Sequence, residues 1–421
     1  MKTIVLLLDG LGDIPHQALE GKTPLEAAHT PHLDALCRQA ETGMMVPWKL
    51  GVPMGTEVAH FVLLGYDIND FPGRGIVEAL SRNVSLEKEG VYIATTWSTV
   101  EEREGLSIIE RWTSDLTEEE INELKEALPD EIDGVTFSWT RSSGPHGVLH
   151  LRGQGISSVI SDSDPFRDPG HVLAIEAYDT VAEEAIHTAE VMNTFLQKTY
   201  EALKNHPVNR QREAEGKNAA NFLLTKWAAQ KPAVEKFEEV NGMKGCMVAK
   251  KGLMSGIAQL VGLDFSPWDT FEAGVTSALV LPHDFVWLHT KEPDEAAHTK
   301  VPQRKKEVLE AIDEKLGPLV EAVNNKDLLL VVTGDHTTPS SGTMIHSGEP
   351  VPIMFIGGPV RVDDVAEFGE RTCSKGNLFI HGTDLIPMVL NFTERAQFYN
   401  FRPGGKKRRY IPKEYNLFKP R

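Results

Sequence analysis

The opening strand constrains the fold more than any other stretch. "TIVLLLDG" (Thr3 to Gly10) is a short, continuously apolar run that stops at Asp9. A half-exposed strand alternates polar and apolar residues, whereas a run apolar at every position is buried on both faces, as in a parallel sheet. The pattern recurs in "HDFVWLHT" (His283 to Thr290), "DLLLVVTGDH" (Asp327 to His336) and "VPIMFIGG" (Val351 to Gly358). Helical periodicity lies between the runs, as in "VPQRKKEVLEAIDEKLGPLVEAV" from Val301 to Val323. This alternation predicts an α/β domain on a doubly wound, mostly parallel sheet, with functional residues at the C-terminal ends of strands.

From about residue 90 to 172 the pattern changes to short alternating pieces, among them "VYIATTWSTV", "LSIIERW", "GVTFSWTR" and "GVLHLRG". These read as antiparallel strands, with one helix in "TEEEINELKEAL". A chain of 421 residues is long enough for more than one core. The expected organisation is therefore a discontinuous α/β domain, 1–89 and 173–421, interrupted by a smaller α+β domain at 90–172 that caps the substrate.

Composition narrows the function classes. Hydrophobic content of 41% and charged content of 25% are those of a globular protein. The formal net charge of -18 disfavours nucleic acid and anionic membrane as partners, so an anionic substrate would need local positive charge. The basic run "KKRR" (Lys406 to Arg409) reads as a solvated tail face. Cys37, Cys246 and Cys373 are odd in number and widely spaced, which fits a reducing compartment and argues against a cysteine zinc site. The apolar run "IVLLL" is too short for a secretory h-region, and no stretch is long enough to span a bilayer. The expected location is cytoplasmic.

Asp9, Thr56, Asp294, His298, Asp335, His336 and His346 form a candidate two-metal set. "DEAAH" puts Asp294 and His298 on one helical face. "TGDHTTP" presents Asp335 and His336 in a turn after an apolar strand, and His346 precedes the next strand. Each piece alone has an ordinary explanation, as a turn or a polar helix face; their joint placement at the ends of one sheet does not. Carboxylate and imidazole donors suit Mn2+ or Zn2+, with Mg2+ or Co2+ as further candidates, and no organic cofactor is indicated.

Thr56, in "VPMGTEVAH", has two readings. Ahead of an apolar helical run, a threonine is ordinarily an N-cap, worth about 1 kcal/mol. At a helix N-terminus it is also placed where amides favour a phosphate, and a metal could lower its hydroxyl pKa.

The ordered motifs resemble the alkaline phosphatase superfamily and, within it, the archaeal-type cofactor-independent phosphoglycerate mutases. The resemblance runs over nearly the whole chain, through "DGLGDIPHQALEGKTPLEAAHTPHLDAL", "GYDINDFPGRGIVEAL", "HPVN", "KEPDEAAH" and "GDHTTP…HSGEPVPI". It implies one metal held by Asp294, His298 and His346, and another by Asp9, Thr56, Asp335 and His336. It also implies a phosphoryl group carried on Thr56, and a small phosphorylated substrate, 3-phosphoglycerate, converted to 2-phosphoglycerate. Attack by water instead would make the chain a phosphomonoester or phosphodiester hydrolase, and a metal-binding scaffold without turnover is the reading from another class. The family usually has serine where this chain has Thr56, and arginine where it has Lys226. Arg74, in "PGRGIVEAL", leads the candidate anion ligands because the flanking glycines allow close backbone approach to a ligand. Arg111, Arg141 and Lys226 follow, and His60 is either a core histidine or a hydrogen-bond partner near the phosphate.

Overall fold

The computed structural model describes residues 1–166, 170–324, 327–401, 408–414 and 417–420. The chain forms two compact units: Met1–Phe71 with Val234–Arg421, and Pro72–Ala233.

The first unit is built on eight strands: β1 (Lys2–Leu8), β2 (Ala40–Val46), β3 (Gly245–Ala249), β4 (Asp264–Pro267), β5 (Phe285–Thr290), β6 (Leu328–Thr333), β7 (Val351–Ile356) and β8 (Leu378–His381). Their order in the sheet is β4-β3-β5-β1-β6-β7-β2-β8. All neighbours are parallel except β7, which runs antiparallel to both β6 and β2. The expected doubly wound, mostly parallel sheet is what forms. Strands β5 and β6 are buried at every position, as apolar runs covered on both faces must be. The long helical pattern from Val301 breaks into Pro302–Asp313 and Gly317–Val323, because Pro318 cannot continue a helix from the turn before it. Among the described residues no helix is long and apolar enough to cross a membrane. All three cysteines are free and buried. Of "KKRR", Lys406 and Lys407 lie outside the described residues, while Arg409 donates to Gly65 O at 2.6 Å.

The second unit is an antiparallel sheet around the long strand Val91–Glu102, which pairs with Leu106–Glu110, His146–Arg152 and Phe222–Gln230. Its limits, 72 and 233, are wider than the 90 and 172 expected from the strand pattern. Helix Glu183–Leu203 carries Ala189, Met192, Phe195 and Leu196 into this unit's core, with Phe195 stacked on Phe137 at 4.6 Å. Phe222–Gln230 then returns to the same sheet, so the helical stretch after Leu173 belongs here rather than to the α/β unit. At the other end, helix Arg74–Ser81 lies hard on the sheet. A Cβ on Gly75 would stand 2.3 Å from Tyr92 O. That glycine allows close packing of helix on strand.

Candidate metal centre

Strands β1, β5 and β6 end level, with Leu8 opposite Thr290 and Leu7 opposite Thr333. The residues that follow them therefore converge. Asp9 leaves β1 with its amide on Thr290 O at 3.0 Å, and the Gly10 amide bonds Asp335 Oδ1 at 2.9 Å. Gly10 has φ +65°, and a Cβ there would stand 2.6 Å from Thr338 Oγ1 and 2.9 Å from Asp294 Oδ1. The backbone must come this close for the carboxylates to meet. Helix α1 (Thr56–Leu63) brings the hydroxyl and helix α2 (Glu292–His298) brings Asp294 and His298.

The cap position of α1 is Gly55, and Thr56 is the first helical residue, with no cap bond. The ordinary explanation of this threonine therefore fails. Its Oγ1 turns instead to His336 Nε2 (3.3 Å) and Asp9 Oδ1 (3.5 Å).

The remaining separations are alike. His336 Nε2 stands 3.4 Å from Asp9 Oδ1 and 3.2 Å from Asp335 Oδ2. Asp294 Oδ1 stands 3.3 Å from His298 Nε2 and 3.5 Å from His346 Nε2. Direct charge-assisted hydrogen bonds close to about 2.7–2.9 Å. Nitrogen and oxygen ligands about 2.0–2.1 Å from a shared tetrahedral cation stand about 3.3–3.4 Å apart. The spacing fits donors arranged around cations. Among the described residues, two groups have all their ligand atoms within 4.8 Å of one another: Asp294, His298, His346, and Asp9, Asp294, His336.

Tautomers follow from the partners. His346 Nδ1 donates to Met54 O at 2.6 Å, which leaves Nε2 as a lone pair toward Asp294. The Thr338 hydroxyl gives its one proton to Asp294 Oδ1 (2.8 Å), so it accepts from His336 Nδ1 (3.0 Å) and His336 Nε2 is also a lone pair. Burial pushes His336 down to about 4, which keeps it in the neutral, ligand form.

The carboxylates are in deficit. Burial first, then Asp335 and Asp294, push Asp9 well above the carboxylate range. Burial opposes ionisation of Asp294 and Asp335 too, although both carboxyls stay below the usual range. Asp335 Oδ2 and His60 Nε2 remain buried without a hydrogen bond. Added positive charge would relieve both the crowding and the orphaned oxygen.

His60 is wholly buried and donates from Nδ1 to Thr56 O at 2.8 Å. It holds the first turn of α1, and the same Nδ1 stands 3.4 Å from Asp335 Oδ2. His289 and Thr338 were not anticipated: His289 Nε2 lies 3.0 Å from Asp9 Oδ2. The signal for His289 was there, a lone histidine near the end of the apolar run "FVWLHT".

In the second unit, Arg111 is nine-tenths buried; its Nε donates to Asp164 Oδ2 at 3.0 Å and its Nη2 stands 2.7 Å from Oδ1. Lys226 Nζ stands 3.8 Å from the same carboxylate. Burial pushes Lys226 down to about 8, against the pull of Asp164. Arg74 Nε donates to Glu78 Oε1 at 2.6 Å, and its guanidinium lies over the Trp227 ring. Arg141 turns elsewhere, donating to Gly144 O at 3.0 Å. His206 of "HPVN" caps helix Pro207–Ala214.

The family model described as the metalloenzyme superfamily matches residues 1–391. The chain is 44% identical to 2,3-bisphosphoglycerate-independent phosphoglycerate mutase 2 of Methanocaldococcus jannaschii, over 98% of each. The chain belongs to this family. Among solved structures, a Pyrococcus horikoshii protein matches with TM-score 0.77 and 30% identity, covering 95% of this chain and 99% of that one. The cofactor-independent phosphoglycerate mutase of Thermoplasma acidophilum matches with TM-score 0.62 and 28% identity, covering 93% of this chain and 100% of that one. The family's metalloenzyme character agrees with the carboxylate–imidazole cluster at the ends of β1, β5 and β6.

Proposed function

We propose that the chain is a two-metal phosphoryl-transfer enzyme, a cofactor-independent phosphoglycerate mutase interconverting 3-phosphoglycerate and 2-phosphoglycerate through phospho-Thr56. The observation that carries this reading is the Thr56 hydroxyl standing at ligand spacing from Asp9 and His336, in a chain 44% identical to a named mutase. Asp294, His298 and His346 would hold one divalent cation, and Asp9, Thr56, Asp335 and His336 the other, with Mn2+ or Zn2+ suited to these donors. Bound there, the cations would supply positive charge against the transferred group and lower the hydroxyl pKa.

The chain's own part is attack, orientation and recognition. Thr56 Oγ1 gives up its proton and bonds to phosphorus as the bond from phosphorus to the C3 oxygen of the glycerate breaks, and that oxygen takes up a proton. In the return step the C2 hydroxyl loses its proton and takes the phosphorus as Thr56 Oγ1 leaves and regains a proton. No outside phosphate donor is consumed. His60 fixes the Thr56 carbonyl, and with it the direction of the hydroxyl. Arg74, Arg111 and Lys226, all in the second unit, are the candidates for cationic recognition of phosphate and carboxylate groups.

The test is incubation of the Mn2+-loaded protein with 3-phosphoglycerate under an enolase-coupled readout, with mass spectrometry of protein quenched during turnover. The expected result is 2-phosphoglycerate and a phosphate on Thr56. Free phosphate without 2-phosphoglycerate would overturn the mutase reading in favour of a hydrolase.

A further inference from the structure

Lys305 lies on helix Pro302–Asp313 and is fully buried. Its neighbours on the same face, Leu309 and Ile312, belong to the apolar core. A buried charge is seldom a net gain over a well-packed apolar side chain, so this ammonium calls for an explanation of its own. Each of its donors is used. Nζ donates to Gly12 O at 2.8 Å, to Thr338 O at 3.0 Å and to Asp13 Oδ2 at 3.0 Å.

Those acceptors belong to two different loops. Gly12 and Asp13 follow Asp9 in the loop after β1, and Thr338 follows His336 in the loop after β6. One ammonium therefore joins the two loops that carry Asp9, Asp335 and His336. Asp13 closes the link from the other side. It accepts the Ser340 amide, at 3.1 Å on Oδ1 and 3.2 Å on Oδ2, and its Oδ1 stands 2.9 Å from His16 Nε2. Thr338 carries the connection onward, since its hydroxyl donates to Asp294 and accepts from His336.

We propose that Lys305, paired with Asp13, is a positioning residue for the metal centre, clamping the loops after β1 and β6 so that their carboxylates and imidazole stand at ligand spacing. The inference rests on the two-metal reading of the site. Lys305 touches no candidate ligand itself. It acts through the carbonyls of Gly12 and Thr338.

The experiment compares the full-length parent with Lys305→Met and with the double variant Asp13→Asn/Lys305→Met, all stripped with chelator. Each is melted without metal and then titrated with Mn2+ by calorimetry at 25 °C. Lys305→Met alone leaves a buried carboxylate unpaired and can fail to fold. The double variant removes one charge of each sign, so its metal-free melting point is expected within about 4 °C of the parent. Its Mn2+ affinity is expected to fall about 10- to 100-fold, as it does when groups that orient metal ligands are removed. Loss of net charge cannot produce that fall, because the net charge is unchanged. A folded double variant that binds Mn2+ as tightly as the parent overturns the clamp and leaves the two-metal reading standing. A parent that binds no Mn2+ overturns the two-metal reading, and the clamp with it.

Discussion

The two units bury charge in opposite ways. In the first, Asp9, Asp294 and Asp335 converge with His336 and His346, whose Nε2 atoms face them as lone pairs, and Asp335 Oδ2 finds no hydrogen bond. In the second, Asp164 takes Arg111 and Lys226, while Glu78 takes Arg74 and the Ser142 hydroxyl at 2.8 Å. One cluster is short of positive charge within the protein. The other nearly balances itself, with three cations against two carboxylates. The difference teaches which cluster is built around an external ion: the deficit asks for cations, whereas an anion entering the second cluster must compete with carboxylates already in place.

The sharpest way to break this comparison is at Thr56, the one hydroxyl among the candidate ligands of the first cluster. Thr56→Ala is expected to lower mutase turnover at least about a thousandfold and to abolish the phosphorylated intermediate. Thr56→Ser keeps the hydroxyl and is expected to stay within about tenfold of the parent, since the methyl only restricts χ1. A trapped phosphate on another residue in the alanine variant would place the attacking group elsewhere.

Asp164 tests the self-balancing side. Asp164→Asn takes away the carboxylate shared by Arg111 and Lys226 and is expected to destabilise the second unit by about 3 kcal/mol. Inorganic phosphate should then restore more stability to the variant than to the parent, measured as the shift in urea midpoint. An unchanged midpoint without phosphate would mean that Asp164 does not balance these cations.

Metal removal tests the deficit. Saturating Mn2+ at about a hundredfold over its Kd is worth about 2.7 kcal/mol, which should raise the Tm of the first unit by about 5–10 °C. Because burial and Asp335 hold Asp9 well above the usual range, binding must displace a proton. The apparent affinity should therefore rise with pH and weaken as pH falls. Calorimetry in buffers of different ionisation enthalpy detects that release, and its absence would show that the carboxylates were already ionised.

Much of this was legible in the sequence because strand ends are legible. "TIVLLLDG" and "DLLLVVTGDH" show both a buried strand and the acid that follows it, so Asp9 and Asp335 could be placed on one edge of one sheet. Long-range partners could not be read in the same way. Nothing local distinguishes Lys305 from Lys306 beside it, because its burial depends on Gly12 and Thr338, far away in sequence. Asp164 was missed for the same reason: its pairing with Arg111 exists only once the sheet has closed. The boundary at 172 failed because the helix beginning at Glu183 looks like that of an α/β unit, and only its packing on Phe137 reveals where it belongs.

A last, smaller effect separates the units by pH. His150 is buried in the second unit, stacked on Tyr92 at 4.2 Å, with neither ring nitrogen hydrogen-bonded. Burial, helped by Arg152, lowers it to about 4, below an unfolded value of about 6.5. The neutral ring is thus the folded form. Its contribution is whole above pH 6.5 and is lost as pH falls through about 4, amounting to about 2 kcal/mol between pH 7 and pH 5. Acid sensitivity of the first unit should recede as Mn2+ is raised, since metal and protons compete for the same groups, while that of the second unit should not. His150→Phe keeps the stack on Tyr92 and removes the titrating ring, so urea unfolding of its second unit should be flatter between pH 5 and pH 7 than the parent's. An equal slope in both would assign the acid sensitivity to other groups and erase this distinction between the units.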